Sequence, residues 1–396
     1  MHEKNLTGRG IKSGGRAYEG EEYLKVLLLA TRVNLGGIGV YTLSLAKALK
    51  ARGIEPIIAS SGGELLEDIR KQGIEHIYIP VDTSADIGLH TLIGYFRLSR
   101  IVKDNAIDII HAQTRVTQLI AALLSRRFSM PYITTCHGFF KKRLFRRFFP
   151  CWGYRSIAIS DAVRQHLVYD MNVTKDRIRL IYNGIDITRF NRQVSLEDKA
   201  HIRKEYKLKD LPTIGIVSRL SEVKGHRYLL GAFSKILRRF PDTQLLIVGD
   251  GKPRYLEYLK SIVDSLSIQD KVIFHPSCRD TYIPLSVIDI FCMPSVQEGL
   301  GLSIIEAMAS GVVVVASDVG GIYSLIKDGE NGFLVNPKDE EGIAEAIISL
   351  LLDKHMARKM ADRGRSIANE RFTLDIMTEK VISVYKELIK KDSEDE

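Results

Sequence analysis

The stretch KVLLLATRVNLGGIGVYTLSLAKALKARGIEPIIA, residues 25–59, decides the fold class of this chain. Residues 25–30 form a continuous apolar run, which is typical of a strand buried on both faces of a parallel sheet. Glycines follow at positions 36, 37 and 39, and apolar residues then recur at helical spacing over residues 41–49. Gly53 ends this helix, and residues 56–59 predict a second strand. This order of strand, glycine loop, helix and strand is typical of a doubly wound α/β sheet.

The second half of the chain repeats this order of elements without repeating the sequence. Residues 213–217 (TIGIV) predict a strand, residues 228–240 a helix, and residues 244–248 (QLLIV) another strand. Further short strands are predicted at residues 272–274, 288–293, 312–316 and 332–335. Because 396 residues exceed the ~100–200 of one ordinary domain, we expect two Rossmann-like α/β domains in tandem.

The boundary between the two domains is expected in the charged segment 186–211. The predicted organisation is a disordered leader at residues 1–21, a first domain at 22–190, a second domain at 191–372, and a C-terminal helix with an acidic tail at 373–396. We expect this C-terminal helix to pack back on the first domain.

Composition excludes several classes of protein. Apolar residues make up 45% of the chain and charged residues 27%, which is ordinary for a globular protein. No apolar run reaches the ~18–20 residues of a membrane span, and the first residues do not resemble a secretion signal. The four cysteines form no C-x-x-C pair, so we expect reduced structural thiols and no zinc site.

The positive charge is concentrated in one segment. The formal net charge is +9, and residues 109–160 contain nine basic residues and no acidic residue. Five of those cations alternate with phenylalanines in one short run: Lys141, Lys142, Arg143, Arg146 and Arg147. An amphipathic basic-aromatic helix favours an anionic membrane surface over nucleic acid, which aromatic side chains usually bind from a sheet or loop. A partly buried helix with a solvated basic face is the alternative.

The stretch SVQEGLGLSIIEAMASG, residues 295–311, has the strongest indication of a ligand site. It follows the predicted strand 288–293, places glycines beside Glu298, and begins a helix near residue 303. Open α/β sheets bind ligands at the carboxyl ends of their strands, and a helix N-terminus suits a pyrophosphate. Glu298 could therefore accept hydrogen bonds from sugar hydroxyls, and Glu306, one turn into the helix, from a ribose. Two ordinary surface glutamates are the alternative.

A second group of residues, SRLSEVKG at 218–225, follows the predicted strand 213–217. Arg219 and Lys224 should lie at the carboxyl end of that strand, near the mouth of the same sheet. A leaving nucleoside diphosphate carries about two to three negative charges, which a guanidinium and an ammonium would stabilise. Taken alone, these two residues are better interpreted as exposed loop cations.

Together, these motifs resemble the large family-four group of retaining glycosyltransferases with the GT-B fold. The second half supplies SRLSEVKG, VGDGKPR, EGLGLSIIEAMASG and SDVGGIYSLIKDGENGFLVNP. The first half supplies GGIGVYTLSLAKAL, DIIHAQ, TCHGFF, AISDAV and IYNGID. The resemblance covers residues 24–385, and Glu298 and Glu306 match the group's two glutamates separated by seven residues. It implies two domains facing each other across a cleft, the first binding the acceptor and the second the nucleotide sugar.

The resemblance also implies a role for each matched residue. Arg219 and Lys224 should hold the diphosphate, Glu298 should contact the transferred sugar, and Glu306 the ribose. His137 should face the reacting sugar, so the implied catalytic residues are His137, Arg219, Lys224 and Glu298. The donor-binding set adds residues of the first glycine loop, the base contact and the glutamate loop: Gly36, Gly37, Ser277, Cys278, Arg279, Gly299, Leu300, Gly301 and Leu302.

Other matched positions carry weaker expectations. Gly39 departs from the group's pattern, because many members have an acidic residue there. His111 in DIIHAQ is interpreted as a structural residue, and Asn183-Gly184 should mark the hinge side of the cleft. The basic segment after His137 should border the acceptor side.

The predicted activity is transfer of a hexose from a nucleoside-diphosphate sugar to a hydroxyl of a glycan or lipid-linked acceptor. We expect retention of configuration and no metal or other cofactor, in lipopolysaccharide or other cell-envelope polysaccharide synthesis. The expected location is cytoplasmic, peripheral on the inner face of the plasma membrane. The alternatives are an epimerase or phosphorylase of the same fold, or a non-catalytic nucleotide-sugar-binding protein. A dinucleotide oxidoreductase is disfavoured because residues 36–39 (GGIG) lack the G-x-G-x-x-G spacing.

Overall fold

The computed structural model describes residues 24–82, 88–141 and 149–394, and no side chain beyond residue 389. Those residues form two parallel β-sheets surrounded by helices. The prediction of two Rossmann-like α/β domains is therefore confirmed. The predicted leader, residues 1–21, lies outside the described residues.

The first domain is built on a seven-stranded sheet in the described part of the chain, with strand order β3-β2-β1-β4-β5-β6-β7. Its strands are β1 (Lys25–Leu29), β2 (Glu55–Ser60), β3 (Glu75–Tyr78), β4 (Ile109–Ala112), β5 (Tyr132–Cys136), β6 (Arg155–Ala158) and β7 (Ile178–Leu180). Its helices are α1 (Gly37–Lys50), α2 (Leu66–Lys71), α3 (Leu89–Asn105), α4 (Arg115–Phe128) and α5 (Asp161–Gln165), the last continuing as a π-helical turn at His166–Asp170. Alternate residues of β1 enter two different apolar clusters, because the sheet is buried on both faces.

The second domain is built on a sheet with strand order β10-β9-β8-β11-β12-β13. Its strands are β8 (Thr213–Val217), β9 (Gln244–Val248), β10 (Val272–His275), β11 (Ile290–Met293), β12 (Val313–Ser317) and β13 (Phe333–Val335). Its helices are α6 (Leu196–Glu205), α7 (His226–Arg239), α8 (Pro253–Ser265), α9 (Tyr282–Leu285), α10 (Leu302–Ala309), α11 (Glu340–Leu352) and α12 (Lys354–Arg371). The final helix is α13 (Leu374–Glu394).

The first helix begins earlier than its apolar spacing predicts. We expect a loop through Gly39 and a helix from residue 41, whereas α1 begins at Gly37. No side chain caps its N-terminus at Gly36. The structure thus places the free N–H groups of the first turn of α1 at the carboxyl end of β1, where they can bind an anion.

The chain passes between the domains at two adjacent points. Ile185 and Thr373 form an isolated parallel bridge, and the amide of Ile185 donates to the carbonyl of Phe372 over 2.9 Å. A side chain on Gly184 would overlap the carbonyl of Thr373, so glycine is needed where the two segments touch. Phe190, at the predicted boundary, packs edge-on against Tyr282 of the second domain, with 6.3 Å between ring centroids.

After the second crossing, α13 packs on the first domain. Its buried residues Val381 and Tyr385 join the apolar cluster of β1 and α1. Glu387 pairs with both Arg155 and Arg179 on the last two strands of the first sheet. The final helix therefore makes the first domain a structure of two chain segments. Among the described residues, no helix has the length and apolar character needed to cross a bilayer.

Candidate active site

The loops that follow β8 and β11 are held against each other by their backbones. The amide of Val296 donates to the carbonyl of Val223 over 2.8 Å. Gly225 has a φ of +73°, and a Cβ there would overlap the carbonyl oxygen of Pro294. Only glycine allows this approach, because an L side chain would meet both backbone strain and a backbone atom. The loop carrying the predicted cations and the loop carrying Glu298 are thus fixed side by side.

Lys224 and Glu298 form an ion pair where these loops meet. Both are largely buried, with 20% of the Lys224 side chain and 14% of the Glu298 side chain exposed. The other carboxylate oxygen of Glu298 accepts from the amide of Gly299 over 3.2 Å. A buried pair keeps both charges in place before any ligand arrives, which is the condition for electrostatic preorganisation. Arg219, two residues after β8, is exposed and has no ion-pair partner among the described residues.

Glu306 lies in the second turn of α10, below the helix N-terminus. Desolvation raises the pKa of its carboxyl group to about 7, against the opposing effects of the Thr281 hydroxyl and of Arg189. The helix begins at Gly301, which has a φ of +102°. Leu300 is only 2% exposed, so its side chain belongs to the core and does not line the site.

The loop after β10 is the predicted contact for the nucleotide base. The amide of Ser277 donates to the Asp250 carboxylate over 3.1 Å, which fixes the start of the loop. Arg279 reaches out of the second domain, and its guanidinium pairs with Asp68 of α2 over 3.3 Å. Cys278 between them is partly exposed. The two domains are therefore joined across the cleft beside this loop.

His137 lies at the end of β5, on the first-domain side of the cleft. Its Nε2 is 2.9 Å from the amide oxygen of Gln113, which requires Nε2 to carry the hydrogen. Its ring meets the Tyr41 ring edge-on, with 4.8 Å between centroids. Desolvation lowers the pKa of His137 to about 3, so the imidazole is neutral at neutral pH. His137 can therefore act as a hydrogen-bonding group but not as a cation.

Backbone contacts bring His137 to the glutamate loop. A Cβ on Gly299 would lie 2.5 Å from the carbonyl oxygen of His137, so the two domains are in van der Waals contact here. Across the same contact, the Ser160 hydroxyl donates to the Gly299 carbonyl over 2.6 Å. Behind the loop, the amide of Gly321 donates to the carbonyl of Glu298 over 3.0 Å. The structure thus brings His137, Glu298 and Lys224 to one place.

The three glycines of the first loop have different surroundings. A Cβ on Gly36 would meet no atom within 4 Å, and one on Gly37 would only touch Leu302 of α10 at 4.0 Å. A side chain on Gly39 would overlap the backbone of Asn34. Gly39 is therefore required by the fold, which gives a physical reason for its departure from the group's acidic residue. The space at Gly36 and Gly37 lies open toward the second domain.

His111 has a structural environment, in agreement with its interpretation from sequence. It is fully buried, and its two ring nitrogens lie 2.7 Å from the hydroxyl groups of Tyr385 and Thr135. Sequence analysis did not single out Gln113 or Tyr41, which contact His137 directly. The position of Gln113 directly after β4, at the carboxyl edge of the sheet, was the available signal.

The predicted basic surface is described only in part. Lys141 is exposed, three residues beyond Gly138 on the first-domain side. The other four predicted cations lie outside the described residues: Lys142, Arg143, Arg146 and Arg147.

Two family models match this chain, one in each half. The model described as glycosyltransferase family 4 matches residues 35–189, and the model described as glycosyl transferases group 1 matches residues 198–367. Their junction lies in the charged segment between the two domains.

Individual proteins show the same similarity over nearly the whole chain. The N-acetyl-α-D-glucosaminyl L-malate synthase of Bacillus anthracis is 28% identical over 375 residues, covering 89% of this chain and 93% of the relative. A solved glycosyltransferase of Rickettsia africae superimposes with a TM-score of 0.83 and 26% identity, covering 93% of this chain and 100% of that one. The structure of Anabaena HepE with UDP and glucose superimposes with a TM-score of 0.82 and 22% identity, covering 92% and 100% of the two chains.

Proposed function

Because this chain belongs to the family-four glycosyltransferases with the GT-B fold, we propose that it transfers a hexose, with retention, from a nucleoside diphosphate to an acceptor hydroxyl. The observation that carries the proposal is the contact across the cleft between the backbones of His137 and Gly299, the residue after Glu298 of the ion pair with Lys224. It brings the segments that carry a cation, a carboxylate and a neutral imidazole together between the domains.

The diphosphate of the donor fits the cationic and N-terminal groups of this space. Helices α10 and α1 begin at the carboxyl edges of the two sheets, so the free N–H groups of their first turns lie there. Exposed Arg219 and paired Lys224 lie on the loop after β8, at the carboxyl edge of the second sheet. These groups bind negative charge that increases as the glycosidic bond to phosphate breaks, so they favour the transition state over the bound substrate.

The transferred sugar fits between Glu298 and His137. The carboxylate accepts hydrogen bonds from sugar hydroxyls, and the imidazole forms a hydrogen bond with the same sugar. In the proposed front-face displacement, the bond from C1 to the diphosphate oxygen breaks through an oxocarbenium-like state. The bond from C1 to the acceptor oxygen forms on the same face, and the acceptor proton passes to the departing diphosphate. No metal is needed, because Arg219 and Lys224 balance the charge of that leaving group.

The ribose and base fit deeper in the second domain. Glu306 accepts hydrogen bonds from the ribose hydroxyls, and the main chain of residues 277–279 contacts the base. Supporting this donor class, the similar structure of Anabaena HepE holds UDP and glucose. The binding of a nucleotide sugar is thus proposed for the second domain of this chain.

The acceptor is proposed to be an anionic glycan or lipid-linked precursor in cell-envelope polysaccharide or lipopolysaccharide synthesis. The support is the charge of the sequence at residues 109–160, which has nine basic and no acidic residues and includes β5, the strand that precedes His137. A cytoplasmic enzyme on the inner face of the plasma membrane would meet both a soluble nucleotide sugar and such an acceptor. The malate joined by the Bacillus anthracis relative, as its name states, is likewise an anion.

A thermal-shift screen against nucleotide sugars tests the donor. A donor present at ~100 times its dissociation constant should stabilise the protein by about 2.7 kcal/mol. The donor found in this way is then supplied with candidate acceptors, and the anomeric configuration of the product is read by NMR. A product with inverted configuration contradicts retention. Epimerised or hydrolysed donor with no transfer would assign the chain to an epimerase or a hydrolytic activity.

A further inference from the structure

Helix α3 of the first domain has large apolar side chains on its outer face. Leu89 is 70% exposed, Leu92 51%, Ile93 44% and Phe96 55%. Their spacing of i, i+3, i+4 and i+7 puts all four in one stripe along the first two turns of the helix. Single exposed apolar residues are normal, but a contiguous patch on a soluble domain marks an interaction surface. These four residues are called the α3 stripe below.

The packing of the opposite face prevents the α3 stripe from turning inward. Gly94 faces the domain, where a Cβ would lie only 2.7 Å from the Val81 side chain. Leu98 and Val102 continue this inner face and are buried in the apolar cluster of the first sheet. Because the helix approaches the sheet through a glycine, its rotation is fixed by close packing.

Cations continue the same outer face. Arg100 and Lys103 follow Phe96 by four and seven residues, so they extend the α3 stripe by two further turns. Both are exposed, as are Arg97 on one flank and the two arginines near the end of α4, Arg126 and Arg127. One acidic residue, Asp104, lies on this face of α3. The surface is therefore apolar at one end and strongly basic at the other.

The apolar end lies at the edge of the sheet that carries the candidate active site. In a parallel α/β domain, helices begin at the edge where the strands end. The N-terminus of α3 therefore lies on the same edge as Gln113 after β4 and His137 after β5. A surface docked through Leu89 and Leu92 would be next to the opening through which an acceptor reaches His137.

We propose that the α3 stripe docks the first domain onto an anionic lipid bilayer. The four apolar side chains enter the boundary between headgroups and acyl chains, and Arg97, Arg100 and Lys103 contact headgroup phosphates. A second copy of this chain fits less well, because its own α3 cations would add positive charge to the contact, whereas anionic headgroups would balance that charge. Docking itself does not depend on the proposed function. Only its consequence does, namely that the acceptor is presented from the same bilayer.

Vesicle sedimentation tests the proposal with the full chain. Vesicles of equal parts phosphatidylglycerol and phosphatidylcholine are compared with pure phosphatidylcholine, at low salt and at 0.5 M sodium chloride. The variant L92S/I93S/F96S should bind the anionic vesicles at least ~10-fold more weakly than wild type at both salt concentrations. The matched control L196S/Y258S/L352S removes three exposed apolar residues of the second domain and should bind as wild type does.

A single-residue reporter shows whether the α3 stripe is inserted. The chain has one tryptophan, Trp152, which is 7% exposed. An additional tryptophan in Phe96→Trp should be quenched by brominated acyl chains, whereas one in Leu352→Trp should not. Equal binding by wild type and by the α3 variant overturns the proposal. So does a wild-type dimer that the α3 variant converts to monomer while neither protein sediments with vesicles.

Failure of this proposal can be told apart from failure of the proposed enzyme activity. Donor binding, measured by thermal shift without lipid, should be unchanged in L92S/I93S/F96S, because the substitutions lie outside the second domain. Loss of vesicle binding with normal donor binding supports the α3 stripe. Normal vesicle binding by a protein that binds no nucleotide sugar supports docking and contradicts the donor assignment.

Discussion

In the second domain the loops that face the cleft are tied together by backbone contacts, whereas the glycine loop of the first domain has open space around it. Gly225 and Gly299 each touch a carbonyl oxygen of a neighbouring segment closely enough to exclude a side chain. Gly36 touches nothing within 4 Å. The proposed donor side is therefore preorganised by the protein, while the first loop leaves room that a ligand can fill.

The same contrast extends to the charges. On the second-domain side, Lys224 is already paired with Glu298 and partly buried. On the first-domain side, the cations on the outer face of α3 and at the end of α4 are exposed. Buried, paired groups suit one ligand of defined geometry, and exposed cations suit a surface or a variable acceptor. The predictions below test this difference, beginning with the largest expected effect.

Removal of single groups at the paired site should have the largest effect on turnover. We expect Lys224→Ala, Glu298→Ala and Arg219→Ala each to lower kcat by at least ~10²-fold, because each loses a contact to charge that develops in the transition state. Initial rates with saturating donor measure this. Lys260→Ala, an exposed lysine of α8, is the matched control and should keep wild-type turnover. Wild-type rates in two of the three variants would contradict the donor assignment.

Two glycine substitutions separate protein packing from ligand space. Gly225→Ala should destabilise the fold by about 2–4 kcal/mol, because its φ of +73° and its contact with Pro294 both exclude a side chain. Gly36→Ala should change stability by less than about 0.5 kcal/mol, since the backbone there is extended and the position is open. Donor affinity should nevertheless fall ~10-fold in Gly36→Ala, because the methyl group takes up space near the phosphate.

Denaturant unfolding and donor titration of both variants measure these effects. A Gly36→Ala protein that binds donor as wild type does would show that the open space serves no donor. The proposed donor contacts would then lie in the second domain alone.

The position of His137 depends on a neighbour that the sequence did not reveal. Gln113→Leu removes the acceptor for the Nε2 hydrogen and should lower kcat ~10-fold with little change in donor affinity. Tyr41→Phe is the matched control, because the ring that meets His137 edge-on is kept. Gln113→Glu should raise the pKa of His137 from about 3, since a carboxylate partner stabilises the charged ring. A new ionisation in the pH dependence of kcat would report this, and an unchanged profile would contradict it.

Features set by local order along the chain could be predicted from the sequence, whereas contacts between distant segments could not. The strands of the second sheet, and β1 and β2 of the first, were predictable because buried parallel strands are continuous apolar runs, as in KVLLLA and TIGIV. The other strands of the first sheet were not predicted individually. The place of Arg219, Lys224 and Glu298 at strand ends followed from local order along the chain. Gln113 beside His137 and Asp68 beside Arg279 could not be predicted, because tertiary packing joins residues far apart in sequence. The start of α1 at Gly37 was missed because glycine is a weak helix former whose backbone contacts only the structure shows.

Glu306 should give donor binding a defined pH dependence. Its pKa is raised from 4.5 to about 7 by desolvation, so in the free protein the carboxyl group is largely protonated below pH 7. Ribose hydroxyl groups donate best to the ionised form, so donor binding should release a proton and weaken as pH falls, by at most ~10-fold per unit. Glu306→Gln should bind donor more weakly and remove this dependence. A steeper dependence in the variant than in wild type would contradict the role.

The same pKa predicts an effect on stability with the opposite slope. The folded protein holds this proton more tightly than the unfolded chain, so Glu306 stabilises the fold below about pH 4.5. That contribution is lost as pH rises through about 7. At pH 8, Glu306→Gln should therefore be more stable than wild type by an amount on the order of 1–3 kcal/mol. Unfolding at pH 5 and pH 8 measures the difference between the two proteins.

Chelation should have the smallest effect, because the proposed mechanism assigns the diphosphate charge to side chains. Excess EDTA should leave initial rates within ~2-fold of those without it, since Arg219, Lys224 and the helix N-termini stabilise the leaving group. The sharper form of the test uses Lys224→Ala. If a cation can take the place of the missing ammonium, added magnesium should partly restore that variant and leave wild type unchanged. A wild-type rate that EDTA abolishes and magnesium restores would mean that the paired site of the second domain is incomplete without a metal. The contrast between a preorganised donor side and an open acceptor side would then have to be withdrawn.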